Sequence, residues 1–474
     1  MFEDTIAAIA TPLGEGGLAV VRISGADAFA VADKIFLPAG KNSLKPSAAP
    51  THTIHFGKIV RYKNSLARRT GEGRGEGEFE IIDEVLLAVL RAPRTFTRED
   101  TIEISCHGGI LPAKLVLDTI LENGARLAEP GEFTRRAFLN GRIDLAQAEA
   151  VADLIHSRTE LALTAANEQL AGKLSQRINQ LRDEMMKTLA HVEAHIDFPD
   201  EDISPDTKAQ LLKRLENGIA FMDELLRTAN EGQILRRGIR AAIVGRPNAG
   251  KSSLLNQLLG HDRAIVSPIA GTTRDTIEET ANIRGLPVVF IDTAGLREGR
   301  DEIEVEGIRR SRETLEKAEL ILHVLDASEP LTSADEIYLK EFSGKKRIFV
   351  LNKIDLQKKM ELPEPVTRHS SPVTVSCLSG RGIEALKDAI KNLVWSGKIE
   401  AGMLQVMINS RHQEALGRAR VGAVRTLEAL RADATLELVA LDLRIAVNAV
   451  GEIVGKTATE DLLDSIFSQF CIGK

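Results

Sequence analysis

The sequence has few cysteines and few aromatic residues. Its 474 residues include three cysteines, Cys106, Cys377 and Cys471, which lie far apart and form no CxxC pair. This spacing disfavours a zinc site and a disulfide framework, and it predicts a reducing, cytoplasmic environment. The aromatic residues are 15 Phe, 2 Tyr and 1 Trp, which are too few to favour a platform for base stacking.

Signals for membranes and for export are also lacking. No stretch of about 18 uncharged apolar residues occurs, and the first residues, Met1–Asp4, are acidic rather than basic. The sequence therefore predicts neither a membrane-spanning helix nor a secretory signal peptide.

Charge and composition are typical of a globular protein. Lysine and arginine number 61, aspartate and glutamate number 68, the net charge is −7, and apolar residues make up 43%. A broad basic surface for duplex nucleic acid is disfavoured, although a local basic groove is not. At about 150 residues per domain, the length corresponds to roughly three domains.

Three textures follow one another along the chain. Residues 1–140 read as short strands with a few helices, and residues 141–235 read as helices. Within the second stretch, apolar residues recur every three or four positions over Leu170–Ile196, which predicts one long amphipathic helix. Residues 236–396 alternate strands with helical patterns, as a doubly wound α/β domain does. Because residues 397–474 are helical again, the α/β domain is predicted to be inserted into a helical domain.

Two further features are interpreted as structural. The Gly- and Glu-rich segment Gly71–Glu78 fits no dinucleotide-binding pattern and its acidic residues would repel phosphates, which indicates a surface loop. His191 and His195 lie one helical turn apart. No HExxH pattern and no third ligand accompanies them, so a metal site is disfavoured.

One segment has the pattern of a phosphate-binding loop. Gly245–Ser252 fits GxxxxGK[ST], follows an apolar strand and precedes a helical run. The glycines allow backbone N–H groups to face the phosphates, and the helix N-terminus adds positive potential. Lys251 is predicted to reach the β- and γ-phosphates, and the hydroxyl of Ser252 is predicted to bind Mg²⁺.

Further motifs follow in the order that a GTPase requires. Gly271–Asp275 supplies a switch threonine, Thr273, for Mg²⁺ and the γ-phosphate, and Asp292–Gly295 can hold the water shell of the metal. In Asn352–Asp355 the last carboxylate can accept two hydrogen bonds from guanine, which favours GTP over ATP. Ser376–Leu378 can close the base pocket through backbone amides.

The group that orients the attacking water is left open by these motifs. Many GTPases carry a glutamine directly after the D-x-x-G motif, whereas this chain has Leu296 there. An apolar side chain cannot polarise water, so another group must do so. Most charge runs are only solvated surface, but the loop that follows offers five carboxylates as candidates: Glu298, Asp301, Glu302, Glu304 and Glu306.

Other short motifs are spread over the whole chain: Asp4–Ile6, Ala10–Pro12, Gly16–Gly17, Val21–Gly25, His107–Gly109, Pro130–Thr134, Arg136–Gly141, Asp144–Ala150 and Cys471–Lys474. The α/β part resembles the translation-factor-related GTPases, and the full set of motifs resembles the MnmE (TrmE) family of bacterial tRNA-modifying GTPases. The resemblance implies a multidomain α/β and α protein. An N-terminal α+β folate-binding-like dimerisation domain (1–140) and an all-helical domain (141–235 and 397–474) accompany an inserted Ras-like P-loop GTPase domain (236–396).

The resemblance also implies an activity and partners. Family members are homodimers that add an aminomethyl or carboxymethylaminomethyl group to C5 of the wobble uridine, position 34, of certain tRNAs. A 5,10-methylene- or 5-formyl-tetrahydrofolate supplies the one-carbon unit. A partner of the GidA family carries FAD, uses NADH and completes a heterotetramer. GTP hydrolysis requires Mg²⁺ and K⁺, and it drives the conformational cycle that the modification needs.

The functional residues of the family fall on matching positions of this chain. Asn248, with oxygens at Ser267, Ile269 and Thr272, is implied to hold K⁺, and Glu304 is implied to orient the water. A neutral amide oxygen with backbone carbonyls suits a singly charged cation. The implied GTP-binding residues are Asn248, Ala249, Gly250, Lys251, Ser252, Ser253, Ser267, Pro268, Ile269, Ala270, Gly271, Thr272, Thr273, Asp292, Thr293, Ala294, Gly295, Asn352, Lys353, Asp355, Ser376, Cys377 and Leu378.

The implied folate contacts are Arg22, Glu103, Arg142 and Lys474. A carboxylate can accept from adjacent pterin N–H groups, and basic groups suit the glutamate tail of a folate. Cys471 lies beside this implied site and is a candidate for direct chemistry, although a free cysteine is more often a small buried hydrophobe.

A second hypothesis stays open. The chain could be a regulatory or assembly GTPase, without folate chemistry, whose N-terminal domain binds only a protein or an RNA. Folate binding distinguishes the two hypotheses. In either case the chain has no GxGxxG loop, so a flavin and NADH are expected on a partner protein.

Overall fold

The computed structural model describes the chain except for residues 1–2, 41–42, 63–78, 198–204, 261–277, 292–315, 334, 337–338, 340–343, 363–370 and 396–403. It contains two compact units. The N-terminal unit comprises Met1–Glu149 and Val454–Lys474, and the central unit comprises Ala150–Ile453. The division into three domains remains a prediction, because one compact unit can hold more than one domain.

Both units contain strands and helices. The strands are β1 (Ile6–Ile9), β2 (Leu18–Ser24), β3 (Phe36–Pro38), β4 (Thr53–Tyr62), β5 (Phe79–Leu90), β6 (Thr101–His107), β7 (Arg126–Leu127), β8 (Ile239–Val244), β9 (Glu279–Ile283), β10 (Leu286–Phe290), β11 (Leu320–Asp326), β12 (Lys346–Asn352) and β13 (Val373–Thr374). The helices are α1 (Ala28–Ile35), α2 (Ile110–Glu122), α3 (Glu132–Leu139), α4 (Leu145–His156), α5 (Glu160–Leu170), α6 (Lys173–Asp197), α7 (Pro205–Arg227), α8 (Ala229–Arg237), α9 (Lys251–Leu259), α10 (Ile383–Val394), α11 (Ser410–Arg431), α12 (Leu436–Ile453) and α13 (Glu460–Phe467).

A seven-stranded sheet forms the frame of the N-terminal unit. Its order is β3-β4-β5-β6-β2-β1-β7, and neighbours are antiparallel except for β1 and β7. Alternate residues of each strand share one face, as the period of two requires. On one face Val21 and Ile23 of β2 and Ile104 of β6 pack with Ile120 of α2 in the main core.

Strand β1 is buried on both faces, and this creates a second, smaller core. Ala7 belongs to the main core, whereas Ala8 packs with Phe133 of α3 on the other side. Residues directly opposite each other on paired strands share a face. Because Ala8 pairs with Arg22 and Arg22 pairs with Glu103, these two charged residues lie on the face of the smaller core.

The central unit contains a six-stranded sheet in the order β13-β12-β11-β8-β10-β9, parallel except for β9. Every residue of β10 and β11 is buried, as parallel strands covered on both faces require. From β8 the chain runs to β9 and β10 on one side and then crosses to β11 on the other. Strand β8 is therefore the switch point of the sheet, where open α/β sheets bind ligands at the carboxyl ends of the strands.

Helices that precede the strands of this sheet in the sequence pack against helices that follow them. Helix α11 packs against α7 and α12, and α12 packs against α6. A Cβ at Gly422 of α11 would lie 2.9 Å from the carbonyl oxygen of Asp442, which shows how closely α11 and α12 approach. Helices α6 and α7 thus contact α11 and α12, and a single helical domain made of residues 141–235 and 397–474 stays a prediction. Among the described residues, no helix is both long and apolar enough to cross a bilayer.

Strands predicted within residues 1–140 and 236–396 are observed, among them β2, β8 and β11. The single long helix predicted over Leu170–Ile196 is wrong at its start. Leu170 ends α5, and α6 begins only at Lys173. Gly172 between them has φ +82°, in the left-handed region, so the chain turns there although the apolar spacing continues.

Candidate functional site

The predicted phosphate-binding loop lies at the carboxyl end of β8. The strand ends at Val244, and α9 begins at Lys251 with Gly250 as its N-cap. The N-terminus of α9, with the positive end of its dipole, therefore faces the loop. This strand–loop–helix arrangement is the structural context that the GxxxxGK[ST] pattern requires.

Two glycines let this loop lie tightly against its neighbours. Gly245 has φ +150°, and a Cβ there would overlap the carbonyl oxygen of Val324. Gly250 has φ +95°, and a Cβ there would overlap the side-chain nitrogen of Asn352. Asn248 also lies in the left-handed region, with φ +62°, which asparagine tolerates better than most residues. No larger side chain fits at either glycine without moving backbone or a buried amide.

The ammonium of Lys251 lies over the loop. Its Nζ donates hydrogen bonds to the carbonyl oxygens of Gly245 (3.0 Å) and Arg246 (2.8 Å). Ser252 and Ser253 follow in the first turn of α9 and are exposed. The predicted phosphate and Mg²⁺ ligands of the loop are thus brought to one end of the helix.

Asn352 joins the phosphate loop to the predicted base loop. Its Nδ2 donates to the carbonyl oxygen of Ala249 (2.9 Å), and its Oδ1 accepts from the backbone N–H of Cys377 (3.1 Å). The side chain is buried. The sequence predicted Asn352 among the nucleotide ligands, and the structure shows that it also fixes the two loops relative to each other.

The other predicted base-site residues gather at the carboxyl end of β12. Nζ of Lys353 lies 2.6 Å from Oδ2 of Asp326, and Asp355 is exposed. Burial, and secondly the charge of Asp355, raises the pKa of the Cys377 thiol to about 11. This thiol therefore stays protonated at neutral pH. Ser376 is buried, whereas Leu378 is 87% exposed, open to a ligand or to solvent.

One residue of the loop was missed by sequence reasoning. Arg246 occupies a variable position of the motif, but its guanidinium lies 3.3 Å from Oδ1 of Asp335 and 2.9 Å from Oε2 of Glu329. Asp335 is fully buried. The loop is therefore held by a side-chain ion pair as well as by its backbone, and no feature of the motif itself indicated this.

Several predicted ligands lie outside the described residues. They are Ser267, Pro268, Ile269, Ala270, Gly271, Thr272, Thr273, Asp292, Thr293, Ala294, Gly295 and Glu304. The surface-loop interpretation of Gly71–Glu78 falls outside as well. Their assignments stay predictions.

In the N-terminal unit, three predicted regions meet on the second face of the sheet. Nε of Arg22 donates to Oε1 of Glu103 (2.8 Å), and Nη1 of Arg22 donates to the carbonyl oxygen of Gly473 (3.3 Å). The same guanidinium lies 5.5 Å from the ring centre of Phe133. The structure thus places the end of the chain beside two residues more than 350 positions away in sequence.

Arg142 reaches the same small core from another side. Its Nη1 donates to the carbonyl oxygen of Thr95 (2.6 Å), and its guanidinium lies 5.6 Å from the ring centre of Phe96. Phe96 packs against the core that contains Phe133. Arg22 and Arg142 therefore each lie over a ring of one aromatic cluster, an arrangement that stabilises a guanidinium.

Cys471 and Lys474 lie in the C-terminal turn of this unit. The carbonyl oxygen of Cys471 accepts from the N–H of Lys474 (3.3 Å) and from that of Gly131 (3.4 Å). Cys471 is exposed, whereas Cys106 and Cys377 are buried. The thiol of Cys471 is therefore accessible to solvent, whereas the thiols of Cys106 and Cys377 are not.

A buried ionic cluster, which no sequence motif predicts, lies beneath this site. Arg136 is fully buried and donates to Asp4 (2.8 Å) and to Glu132 (2.9 Å), with Glu99 at 3.3 Å. Burial raises the pKa of Glu132, but hydrogen bonds from Arg126 and then from backbone and Arg136 outweigh it, so its pKa lies below the usual range. The cluster ties α3, which carries Phe133, to the start of the chain.

The histidine pair on α6 behaves as a structural feature. The rings of His191 and His195 lie 4.7 Å apart, and Nδ1 of His195 contacts the carbonyl oxygen of His191 at 2.9 Å. Burial, followed by the charges of His195 and Arg214, lowers the pKa of His191. Within the described ranges, no group of three or more metal-ligating side chains is found.

Comparison with known proteins identifies similar chains and domains. Residues 145–471 match the family model described as the MnmE helical domain, and residues 5–142 match that of the GTP-binding protein TrmE N-terminus. The chain is 48% identical to the tRNA modification GTPase MnmE of Geobacillus thermodenitrificans over 99% of both chains. It is 47% identical to that of Bacillus velezensis over 99% of this chain and 100% of the relative. Among solved structures, the G domain of the Thermotoga maritima FeoB iron transporter is 27% identical over 33% of this chain and 98% of that one, with a TM-score of 0.25.

Proposed function

Because the chain belongs to the MnmE family of tRNA modification GTPases, we propose that it couples GTP hydrolysis to modification of the wobble uridine of certain tRNAs. The observation that carries the proposal is the joined pair of loops in the central unit. Asn352 bridges the phosphate loop at Ala249 and the base loop at Cys377, in a chain whose similarity to the family extends over its whole length.

The residues of the loop fit GTP and Mg²⁺. A phosphate is a stronger acceptor than a carbonyl, so Lys251 can exchange its bonds to Gly245 and Arg246 for phosphate oxygens. Ser252 supplies a hydroxyl for Mg²⁺ from the first turn of α9, and Thr273 is the proposed second ligand. The N-terminus of α9 adds a positive potential where the phosphates would lie.

Hydrolysis is further proposed to depend on K⁺ and on Glu304. Asn248 is held in the left-handed region within the loop, where its amide oxygen can serve as a ligand for a singly charged cation, together with oxygens of Ser267, Ile269 and Thr272. A cation there would stabilise negative charge on the β- and γ-phosphates. Glu304 would orient the attacking water, since Leu296 cannot.

A tetrahydrofolate derivative is proposed to bind the second face of the N-terminal sheet. The side chains of Arg22 and Glu103 are 19% and 32% exposed, so a ligand can reach them. The carboxylate suits the N–H donors of a pterin, and Arg142 and Lys474 suit the carboxylates of a folate tail. The bound group would supply the one-carbon unit, and this chain would orient it. Cys471 is the residue of this site whose exposed thiol could act on substrate.

The N-terminal unit is also proposed to form a homodimer. Ile54 and Phe56 of β4 and Leu86 of β5 are 70%, 53% and 45% exposed, and Phe56 lies directly opposite Leu86. A contiguous apolar patch on a sheet favours association. The redox step is assigned to a GidA-family partner with FAD and NADH, which agrees with the lack of a GxGxxG loop in this chain.

Steady-state GTP turnover in KCl and in NaCl, at equal ionic strength, tests the hydrolytic part. Wild type should be strongly stimulated by KCl. Glu304→Ala should lose that activity, whereas the neighbouring Glu302→Ala should keep it. Equal rates in both salts would refute the K⁺ assignment, and equal rates in both variants would refute Glu304.

The modification itself is tested separately. The chain and its FAD-containing partner, with tRNA, GTP, NADH, 5-formyl- or 5,10-methylene-tetrahydrofolate and an amine (ammonium for the aminomethyl group, glycine for the carboxymethylaminomethyl group), should increase the mass of the wobble uridine, as detected by mass spectrometry of nucleosides. Failure of the N-terminal unit to bind either folate would favour a regulatory or assembly GTPase without folate chemistry.

A further inference from the structure

The end of the chain is docked on strand β1 in a way that only glycine permits. Gly473 has φ +92°, in the left-handed region, and a Cβ there would overlap the carbonyl oxygen of Ile9 and come within 3.0 Å of the Cα of Ala10. Both are backbone atoms, so they cannot move aside as a flexible side chain could. The backbone of Gly473 therefore lies directly against the end of β1.

A second contact holds the same residue from the side of the sheet. The carbonyl oxygen of Gly473 accepts from Arg22, whose Nε is bonded to Glu103 and whose guanidinium lies over Phe133. The guanidinium is thus fixed by an ion pair and by a ring before it meets the tail. A displaced Gly473 would break this hydrogen bond and release Arg22 on one side.

The neighbouring residues of the tail form a short turn. The carbonyl oxygen of Cys471 accepts from Gly131 and from Lys474. Gly131 has φ +68°, and a Cβ there would overlap the carbonyl oxygen of Phe467, at the end of α13. The tail is therefore fixed through its backbone. The position of the exposed thiol of Cys471 depends on that backbone.

We propose that Gly473 is a positioning residue of the proposed folate site. It docks the tail on β1, and so it places Cys471 and Lys474 beside Arg22 and Glu103. This inference rests on the proposed binding of a tetrahydrofolate. It adds that the site depends on Gly473, because only a glycine lets the backbone of the tail lie against the backbone of β1.

Gly473→Ala tests the inference in the full-length protein. Calorimetric titration with 5-formyltetrahydrofolate should show an affinity at least roughly tenfold lower than in wild type, since a Cβ at this position either strains the backbone or displaces the tail from β1. Alkylation of Cys471 by iodoacetamide gives a second readout. Cys106 and Cys377 are buried, and burial raises the pKa of both thiols to about 11, so Cys471 should react first.

In wild type, 5-formyltetrahydrofolate should slow this alkylation, and Gly473→Ala should alter the rate and abolish the protection. Gly40→Ala is the matched control. Gly40 also has a positive φ, +104°, but nothing lies within 4 Å of a Cβ there. Gly40→Ala places an alanine at a positive φ, as Gly473→Ala does, but causes no overlap with other atoms. This variant should therefore bind the folate as wild type does. Urea unfolding should show a cooperative transition of the N-terminal unit in both variants, which demonstrates that this unit is folded.

The outcomes separate this inference from the proposed function. If wild type binds no folate, the folate function fails, and the alkylation rate still decides whether Gly473 docks the tail. If wild type binds and Gly473→Ala binds and reacts as wild type does, the positioning role is refuted. Loss of affinity in Gly473→Ala but not in Gly40→Ala, with an altered Cys471 rate, would support it.

Discussion

The two candidate sites differ in how far apart their residues lie in the sequence. The phosphate loop of the central unit is one continuous segment, Gly245–Ser252, at the end of one strand. The site of the N-terminal unit joins Arg22, Glu103 and Gly473, which meet only because three distant segments lie on one face of a sheet. A site formed by one continuous segment can be recognised from the spacing of its residues in the sequence. A site formed by residues that strand pairing brings together cannot.

The physical basis of the two sites differs as well. In the phosphate loop, glycines and a helix N-terminus present backbone groups, so the motif itself specifies the chemistry. On the N-terminal sheet, the chemistry lies in side chains whose positions depend on a buried ionic cluster and on a docked tail. We therefore expect the second site to be more sensitive to changes far from the ligand.

The largest effect is expected from removing the buried guanidinium of the N-terminal unit. Arg136→Leu should lower the free energy of unfolding of this unit by about 3–5 kcal/mol, because Glu99 would stay buried without its counter-charge and Glu132 would keep only Arg126. Urea unfolding of the protein measures this loss. GTP turnover should persist, because the phosphate loop lies in the other unit.

Arg135→Leu is the matched control. Arg135 is partly exposed and pairs with the exposed Glu460 and Asp464, so its loss should cost less than about 1 kcal/mol. Similar losses in both variants would contradict the role assigned to the buried cluster.

A smaller effect is expected from pH, and it should separate the two units. Burial, and secondly Arg347, lowers the pKa of His323 on β11 to about 4. A histidine in an unfolded chain has a pKa near 6.5. Between about pH 6.5 and 4, His323 is therefore protonated in the unfolded central unit and neutral in the folded one. Its stability should therefore fall as pH drops from about 6.5 towards 4, by about 2 kcal/mol between pH 7 and pH 5.

The N-terminal unit should respond in a lower pH range. For Asp4 and Glu132, burial raises the pKa, but the hydrogen bonds and charges of Arg126 and Arg136 outweigh it and lower the pKa below the usual range. Their contribution to stability is present above the unfolded carboxyl pKa, about 4, and is lost as pH falls through the folded value. Denaturant curves at pH 7 and 5, for wild type and His323→Phe, measure the difference. An unaltered pH dependence in His323→Phe would rule out His323 as its source.

The smallest effect is expected at Asn352, which bridges the two loops of the nucleotide site. Asn352→Ala removes two hydrogen bonds that join the phosphate loop and the base loop. GTP affinity should fall roughly tenfold, since two such bonds at about 0.5–1 kcal/mol each contribute about 1.4 kcal/mol together. A fluorescent GTP analogue measures the affinity. Gln257→Ala, which removes a single bond to the carbonyl oxygen of Cys377, should have a weaker effect, and the reverse order would argue against the bridging role of Asn352.

Much of the fold could be predicted because local patterns determined it. The apolar runs that became β2, β8 and β11 and the spacing that became α6 and α11 needed no distant partner. The break between α5 and α6 could not be predicted from apolar spacing, since Gly172 changes the backbone direction without interrupting the pattern. Strand β4 was not predicted, and its exposed Ile54 and Phe56 give it no simple alternation of buried apolar and exposed polar residues.

The motif predicted the phosphate loop, but it did not predict the ion pair that holds this loop. Arg246 and Asp335 pair across loops that are about 90 residues apart in sequence, and no local rule connects them. Arg22 was assigned to the folate site only through resemblance to a family. Strand pairing and the approach of a distant tail, rather than spacing, bring Glu103 and Gly473 to that residue.

The return of the chain to the N-terminal unit has a consequence during protein synthesis. The backbone N–H of Leu145 donates to the carbonyl oxygen of Val454 (3.4 Å), so the chain leaves and re-enters this unit at adjacent points. The ribosome must translate all of Ala150–Ile453 in between, which takes roughly 15–60 s at about 5–20 residues per second. A nascent chain could therefore acquire its nucleotide loop well before Gly473 reaches β1. Premature termination would yield a polypeptide able to bind nucleotide but unable to assemble the other site.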